Sequence, residues 1–277
     1  MEFIEQLING LNLGSIYALM ALGYTMVYGI AKMLNFAHGD IIMVGAYTLS
    51  VAIATLKFPP ALAIIVSMAV CSLLGITVEK IAYKPLRNAS PLTVLITAIG
   101  VSYFLQSLAL LIFGSNQRKV ESVITMQPIK IGGIELTGES AVTIGVTVII
   151  MICLTLFINK TKTGRAMLAV SEDKGAAQLM GSALAAVAGV LFTSSYGFVG
   201  PYTGALPGIK AFVAAVLGGI GSIPGAMLGG FLLGIIESLS KAYISTQLSD
   251  AIVFGVLIVV LLVKPSGLLG KKRMEKV

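Results

Sequence analysis

Few residues of this chain could transfer protons, bind a metal or act as a nucleophile. The one histidine, His38, lies in the segment LNFAHGD with Asn35, Gly39 and Asp40. A histidine beside a carboxylate can hold a metal ion or move a proton, but no further histidine or cysteine accompanies this pair at metal-ligand spacing. HExxH, GxSxG and Walker A motifs are all absent from the sequence. We therefore expect no catalytic residue, metal or cofactor, favour a structural role for His38, and retain these four residues as candidates for a transport pathway or for packing.

A second polar segment, residues 160–181 with the sequence KTKTGRAMLAVSEDKGAAQLMG, separates two long apolar stretches. Ser171 can cap a helix, and Glu172 and Asp173 would lie in its first turn, where the helix dipole favours negative charge. Gly181 can adopt the left-handed conformation that ends a helix. The segment therefore predicts a helix of about nine residues, which at about 1.5 Å per residue cannot span a bilayer.

The predicted short helix is amphipathic. Ala176, Leu179 and Met180 fall on one face, whereas Lys174 and Gln178 fall on the opposite face. A small amphipathic helix at the edge of a membrane is suited to docking another protein. We therefore predict that residues 160–181 form a docking element.

The composition indicates a membrane protein. Hydrophobic residues make up 57% of the 277 residues and charged residues only 11%, whereas a soluble domain has about 25% charged residues. The sequence predicts an all-α, polytopic membrane bundle of eight or nine transmembrane helices in a single transmembrane domain, residues 1–277. Nine apolar segments are separated by polar breaks at residues 32–39, 57–60, 79–90, 115–139, 160–181, 200–208, 220–224 and 241–249.

The net charge of +7 is explained better by membrane orientation than by nucleic acid, because the basic residues lie in the short connections between apolar segments. If every segment crosses, residues 32–39, 79–90, 160–181 and the C-terminal tail share one side and hold most of the lysines and arginines. The positive-inside rule places that side in the cytoplasm. We therefore predict an outside N-terminus, a cytoplasmic C-terminus and a periplasmic loop at residues 115–139, in which IKIGGIEL is typical of a small hairpin.

One segment leaves the number of crossings open. Residues 209–219 would form a helix of only about 16 Å, well short of the roughly 30 Å hydrocarbon core. This segment could enter the membrane and return to the same side, which would place the C-terminal tail outside. Nine crossings are our working count, and eight are the alternative.

The glycine-rich run GGIGSIPGAMLGG, residues 218–230, lacks the lysine and hydroxyl residue of a phosphate loop. Its glycines have the small-xxx-small spacing that lets membrane helices approach closely, as do Gly10 and Gly14. We interpret the run as a packing device with Pro224 at a tight turn, and a functional hinge is the alternative. The candidate residues for a pathway or for packing in this run are Gly218, Gly219, Gly221, Pro224 and Gly225.

Three charged residues near the C-terminal end accompany apolar segments. Glu237 precedes Lys241 by four residues, the favourable order for an ion pair on a helix surface, and Asp250 follows Ser249 at a helix start. We favour ordinary helix ends here, with a polar lining of a translocation path as the alternative.

Five segments together resemble one protein family over nearly the whole chain. They are NGLNLGSIYALMALGYTMVYGI, LNFAHGDIIMVGAY, GRAMLAVSEDKGAAQLMG, SSYGFVGPYTGALPGIKAFVAAVLGGIGSIPGAMLGG and KPSGLLG. The chain resembles the LivH-type permeases of bacterial branched-chain amino acid ABC transporters, which belong to the LivH/LivM permease family. The resemblance implies a location in the bacterial cytoplasmic (inner) membrane and no enzymatic activity in this chain.

The resemblance also implies partners. A second, LivM-like permease would complete the pathway in the lipid bilayer, and two cytoplasmic ATPases, LivG-like and LivF-like, would drive it. A periplasmic amino-acid-binding protein would deliver leucine, isoleucine or valine. The segment SEDKGAAQLMG would correspond to the EAA-type loop that seats in the ATPase, with coupling residues Arg165, Ser171, Glu172, Asp173, Ala176, Ala177 and Gly181.

The chain departs from the family pattern at one place. Family members usually carry a dozen or more additional residues after the Met-Gly that ends the coupling helix, whereas Gly181 here directly precedes Ser182.

Two other classes of function are alternatives to an ATP-driven permease. An ion-coupled secondary transporter would normally show inverted repeats, which we do not find, and an intramembrane enzyme would need a nucleophile with a base or a metal set.

Overall fold

The structure is a computed structural model that describes residues 2–31, 35–86, 89–131, 134–162, 164 and 174–270. Helices account for most of these residues, which confirms the predicted all-α bundle. Within the described ranges the helices are α1 Glu2–Ala31, α2 His38–Ala54, α3 Pro60–Val78, α4 Pro91–Phe113, α5 Gly138–Lys160, α6 Lys174–Tyr196, α7 Ala205–Gly218, α8 Ile223–Tyr243 and α9 Ser249–Val263. A π-helical turn, Glu79–Tyr83, and a 3₁₀ turn, Lys84–Leu86, continue α3.

Each of the nine predicted apolar segments overlaps one of these helices, although most of the helices, including α2, α6 and α7, begin within the predicted polar breaks. By length and composition, α1, α3, α4, α5, α6 and α8 are long and apolar enough to cross a membrane. The helices α2, α7 and α9 have 17, 14 and 15 residues, fewer than the roughly 20 needed for a full crossing. The chain is therefore a multi-pass membrane protein, and three helices in the described ranges are shorter than a full crossing.

Helix α1 forms the centre of the bundle. Of its most apolar 18-residue window, 89% is buried, compared with 28% for α3 and 22% each for α4 and α5. Glycines bring α1 and α8 into backbone contact, because a Cβ on Gly10 would lie 2.7 Å from Ile235 Cα and one on Gly14 would lie 2.8 Å from Phe231 Cα. Close backbone approach through small residues is how membrane helices pack without a hydrophobic driving force between them.

The contacts define two ends of the bundle. At one end, the ring of Phe3 lies 6.5 Å from the ring of Tyr243, so α1 begins where α8 ends. At the other end, Leu268 N donates to Leu217 O at 2.8 Å and Leu269 N donates to Gly218 O at 2.9 Å. The segment after α9 therefore returns to the end where α7 stops and α8 starts.

Short strands lie in the connections. Strands β2 Ile129–Ile131 and β3 Ile134–Leu136 pair in antiparallel register, which confirms the predicted hairpin in residues 115–139. Strand β1, Arg118–Lys119, pairs with β4, Phe198–Val199, so this connection contacts the chain that follows α6.

Candidate functional site

Helix α2 begins inside the bundle. The ring of His38, its first residue, is 1% exposed and lies 4.6 Å from the ring of Tyr24 on α1. A Cβ on Gly23 would lie 2.6 Å from His38 Cε1. Because α1 continues for about two turns beyond Gly23, the first residue of α2 lies about two turns inside the end of α1.

Helix α7 begins at the same place. A Cβ on Gly208 would lie 2.7 Å from Gly39 Cα, and a Cβ on Gly204 would collide with the carbonyl of Gly39. Among the described residues, no side chain caps the first turn of either helix. Two helix N-termini, each with a positive dipole end, therefore meet inside the bundle, a feature of transport proteins with interrupted helices.

Polar side chains fix the start of α2 to neighbouring helices. Asn35 Oδ1 accepts hydrogen bonds from Ala37 N at 3.1 Å and from the Tyr83 hydroxyl, which follows α3, at 2.6 Å. The Asp40 carboxylate, 1% exposed, accepts from Gln106 Nε2 on α4 at 2.9 Å. The structure thus brings together the predicted residues Asn35, His38, Gly39 and Asp40, although no group of three or more potential metal ligands occurs in the described part of the chain.

The second group of predicted residues forms the turn between α7 and α8. Gly219 and Gly221 have positive φ angles of 105° and 94°, which glycine adopts without strain. A Cβ on Gly218 would collide with the carbonyl of Gly225. These contacts are those of a tight turn, and Pro224, predicted at that turn, lies just after it in the first turn of α8.

The predicted coupling segment is only partly described. Arg165, Ser171, Glu172 and Asp173 lie outside the described residues. Ala176, Ala177 and Gly181 belong to α6, which continues without interruption to Tyr196. The prediction of a separate helix that ends at Gly181 was wrong, because Gly181 sits in mid-helix and has no positive φ angle.

The two predicted faces of this segment are not buried in the order that their polarity suggests. Gln178 is 2% exposed, whereas Leu179 is 40% exposed. The reason is tertiary packing: a Cβ on Gly181 would lie 2.8 Å from Val27 of α1, and a Cβ on Gly75 of α3 would lie 2.8 Å from Ser182 Cβ. The first turns of α6 are inserted between α1 and α3 and do not form a rod on the surface.

A network of ionised side chains crosses the opposite half of the bundle. The Lys210 ammonium donates to Glu237 Oε1 at 2.8 Å and lies 2.6 Å from Asp250 Oδ1. Glu237 also accepts from Lys241 Nζ at 2.6 Å and, through Oε2, from the Tyr17 hydroxyl at 2.9 Å. The side chains of Lys210 and Glu237 are 4% and 1% exposed, whereas those of Lys241 and Asp250 are 39% and 42% exposed. We call these five residues the ion network.

The sequence did not predict the role of Lys210. Lys210 was not among the candidate residues, and Glu237 and Lys241 were interpreted as an ion pair on a helix surface, but Glu237 is buried at the centre of the network. A signal was available, because Lys210 is the sole charged residue between Lys174 and Glu237. A lone lysine in an apolar segment requires an acidic partner, and Glu237 and Asp250 follow in the next two helices.

The bundle, the interior helix starts and the buried charges define a multi-pass membrane protein of the transport class. The family model for the permease component of branched-chain amino acid transport systems matches residues 6–261. The LivH permeases of Salmonella typhimurium and Escherichia coli are 45% and 44% identical to this chain, in alignments that cover 99% of this chain and 98% of each relative. The BraD permease of Pseudomonas aeruginosa is 42% identical over 100% of this chain and 98% of its own length. The chain belongs to this branched-chain amino acid permease family.

The alignments also bear on the departure at Gly181. They extend over 302 positions, whereas this chain has 277 residues, so the relatives contain at least 25 residues (302 − 277) without a counterpart here. The relatives therefore carry the additional residues, as expected if this chain lacks a segment between Gly181 and Ser182. No solved structure shows a significant match to the chain.

Proposed function

We propose that this chain is the permease subunit of an ATP-driven importer of leucine, isoleucine and valine. The observation that carries the proposal is identity of 42–45% over nearly the full length to permeases named for high-affinity branched-chain amino acid transport. The interior meeting point of α2 and α7 supports it, since irregular backbone at membrane depth is tolerated where it is covered by protein or lines a pathway. Chemistry requiring a nucleotide site would then reside in other subunits.

The proposed assembly is that of a bacterial ABC importer in the cytoplasmic membrane. A LivM-like permease would pair with this chain, LivG-like and LivF-like ATPases would hydrolyse ATP, and a periplasmic binding protein would deliver the amino acid. The absence of a Walker A motif from the sequence is consistent with a separate motor.

We assign coupling to the segment between α5 and α6, with Arg165, Ser171, Glu172 and Asp173 as ATPase contacts. This segment precedes the end of α6 that packs beside the end of α1 and the end of α3, where the sequence concentrates basic residues. Ala177 and Gly181, which are buried, would act by packing. Movement of the segment would then pass directly into a helix wedged between α1 and α3.

The energy source provides the decisive test. The complete transporter is produced in a host that lacks its own high-affinity leucine uptake, with and without a substitution of the Walker A lysine in the ATPase partners. Uptake should disappear with the ATPase substitution and should survive a proton ionophore when the ATP level is held constant. Uptake that persists without ATPase activity and stops with the ionophore would instead indicate an ion-coupled secondary transporter.

A further inference from the structure

The ion network is poorly explained as a device for stability alone. Removing charges from water is costly, and buried ion pairs often contribute no more stability than well-packed apolar residues of similar volume. In a chain with 11% charged residues, four ionised groups from α7, α8 and α9 nevertheless converge on one point. Ionisable residues within a membrane bundle commonly mark the path of a substrate.

The network extends from the surface into the bundle. Lys241 and Asp250 are partly exposed, whereas Lys210 and Glu237 are buried. It lies at the end of the bundle where α1 begins and α8 ends, away from the first turns of α6. A small molecule that arrives at this end would therefore meet Lys241 and Asp250 before it reached the inner pair.

The charges of the network match those of an amino acid. Two ammonium groups and two carboxylates make the network neutral overall, and an α-amino acid zwitterion brings one group of each kind. Exchange of partners between zwitterion and network keeps every charge paired, so no isolated charge is left in a poorly hydrated site. An amino acid with a net charge would leave one group without a partner.

Apolar surface lies beside these charges. The Lys210 ammonium is 6.0 Å from the centre of the Tyr17 ring. Tyr196, at the end of α6, stacks on Phe192 with ring centres 4.4 Å apart. Tyr196 is 41% exposed, so its ring offers an accessible surface to an aliphatic side chain.

We propose that the ion network is the site at which the permease receives the head group of its cargo, a zwitterionic α-amino acid with an apolar side chain. The ammonium groups of Lys241 and Lys210 take the carboxylate, and the Asp250 carboxylate takes the α-ammonium group. This assignment rests on the proposed function and specifies where the cargo first binds. It predicts that both head-group charges are required for binding.

The test measures leucine binding by saturation-transfer NMR to the assembled transporter without its binding protein, so that selection by that protein plays no part. Leucine should bind, whereas 4-methylpentanoate and 3-methylbutylamine, which each lack one charge of leucine, should not compete. Asp250→Asn and Lys241→Gln should each weaken leucine binding about tenfold, the effect of losing one hydrogen bond to a charged group. Lys264→Gln, at the opposite end of the bundle, is the matched control and should leave binding unchanged.

A double variant distinguishes cargo binding by the ion network from a purely structural role of the network. Lys210→Met with Glu237→Gln removes the inner pair while preserving volume, so a purely structural network should tolerate it. We expect a transporter that still copurifies with its partner subunits but binds leucine at least tenfold more weakly. Unchanged leucine binding in this double variant would overturn the inference. If the double variant does not assemble, unchanged leucine binding in both Asp250→Asn and Lys241→Gln would overturn it. Absence of ATP-dependent leucine uptake by the unaltered transporter would instead refute the proposed function itself.

Discussion

Removal of the Glu237 carboxylate is the perturbation whose size the structure defines best. This group accepts from the Tyr17 hydroxyl at 2.9 Å, from Lys210 at 2.8 Å and from Lys241 at 2.6 Å. Glu237→Ala would leave the Lys210 ammonium, with its side chain 4% exposed, paired with Asp250 alone. Breaking a buried ion pair from one side costs about 3–5 kcal/mol. At about 2–4 °C per kcal/mol, the unfolding temperature should fall by roughly 6–20 °C.

The buried thiol of Cys71 provides the assay. Cys71 is 0% exposed, whereas Cys153 is exposed. In a Cys153→Ser background, a fluorogenic maleimide should therefore react only when unfolding uncovers Cys71. Lys210→Met with Glu237→Gln should unfold close to the parent temperature, because it leaves no unpaired charge between these positions. A Glu237→Ala variant that unfolds at the parent temperature would refute the view that the buried Lys210 ammonium needs the Glu237 carboxylate as a partner.

Three further outcomes are expected. Gly204→Ala should destabilise the bundle by about 1–3 kcal/mol in the same thermal assay, because its Cβ would collide with the backbone of Gly39. The control is Gly100→Ala, whose Cβ would meet no neighbouring atom within 4 Å and which should not destabilise the bundle. Equal stability of the two variants would contradict the contact between α2 and α7. Tyr83→Phe should lower the free energy of unfolding by about 1 kcal/mol, since Asn35 Oδ1 would retain only its 3.1 Å hydrogen bond from Ala37 N. An unchanged unfolding temperature would argue against a stabilising hydrogen bond between Tyr83 and Asn35. Charge reversal at both Glu172 and Asp173 should preserve assembly but abolish ATPase stimulation by the loaded binding protein, and full stimulation would remove these residues from the coupling role.

The local sequence pattern was sufficient to predict the structural features that depend on residues close together in the chain. Apolar segment length predicted the helices, and the alternation in IKIGGIEL predicted the β2–β3 hairpin. The spacing of Gly10 and Gly14 predicted a close approach of helix backbones, and the structure shows that α8 is the partner. Pro224 likewise lies at the start of a helix because its ring favours the first turn.

Features that depend on distant parts of the chain were not predictable in this way. Gln178 is buried because α1 and α3 enclose the first turns of α6, and helical periodicity alone cannot reveal which neighbours are present. Gly181 is a possible helix end by its residue type, yet the residues that follow continue the helix and its packing against Val27 favours a helical backbone. The sequence indicates that Lys210 needs an acidic partner, but Glu237 and Asp250 are identified as its partners only when α7, α8 and α9 are brought together.

Reconstitution tests the central claim of an ATP-driven branched-chain amino acid permease most directly. The chain is purified with its partner permease and ATPases, inserted into proteoliposomes, and supplied with the binding protein and radiolabelled leucine on the opposite side of the membrane from ATP. We predict leucine accumulation that requires ATP hydrolysis and stops when a non-hydrolysable analogue replaces ATP. Accumulation at the same rate with the analogue would contradict the claim.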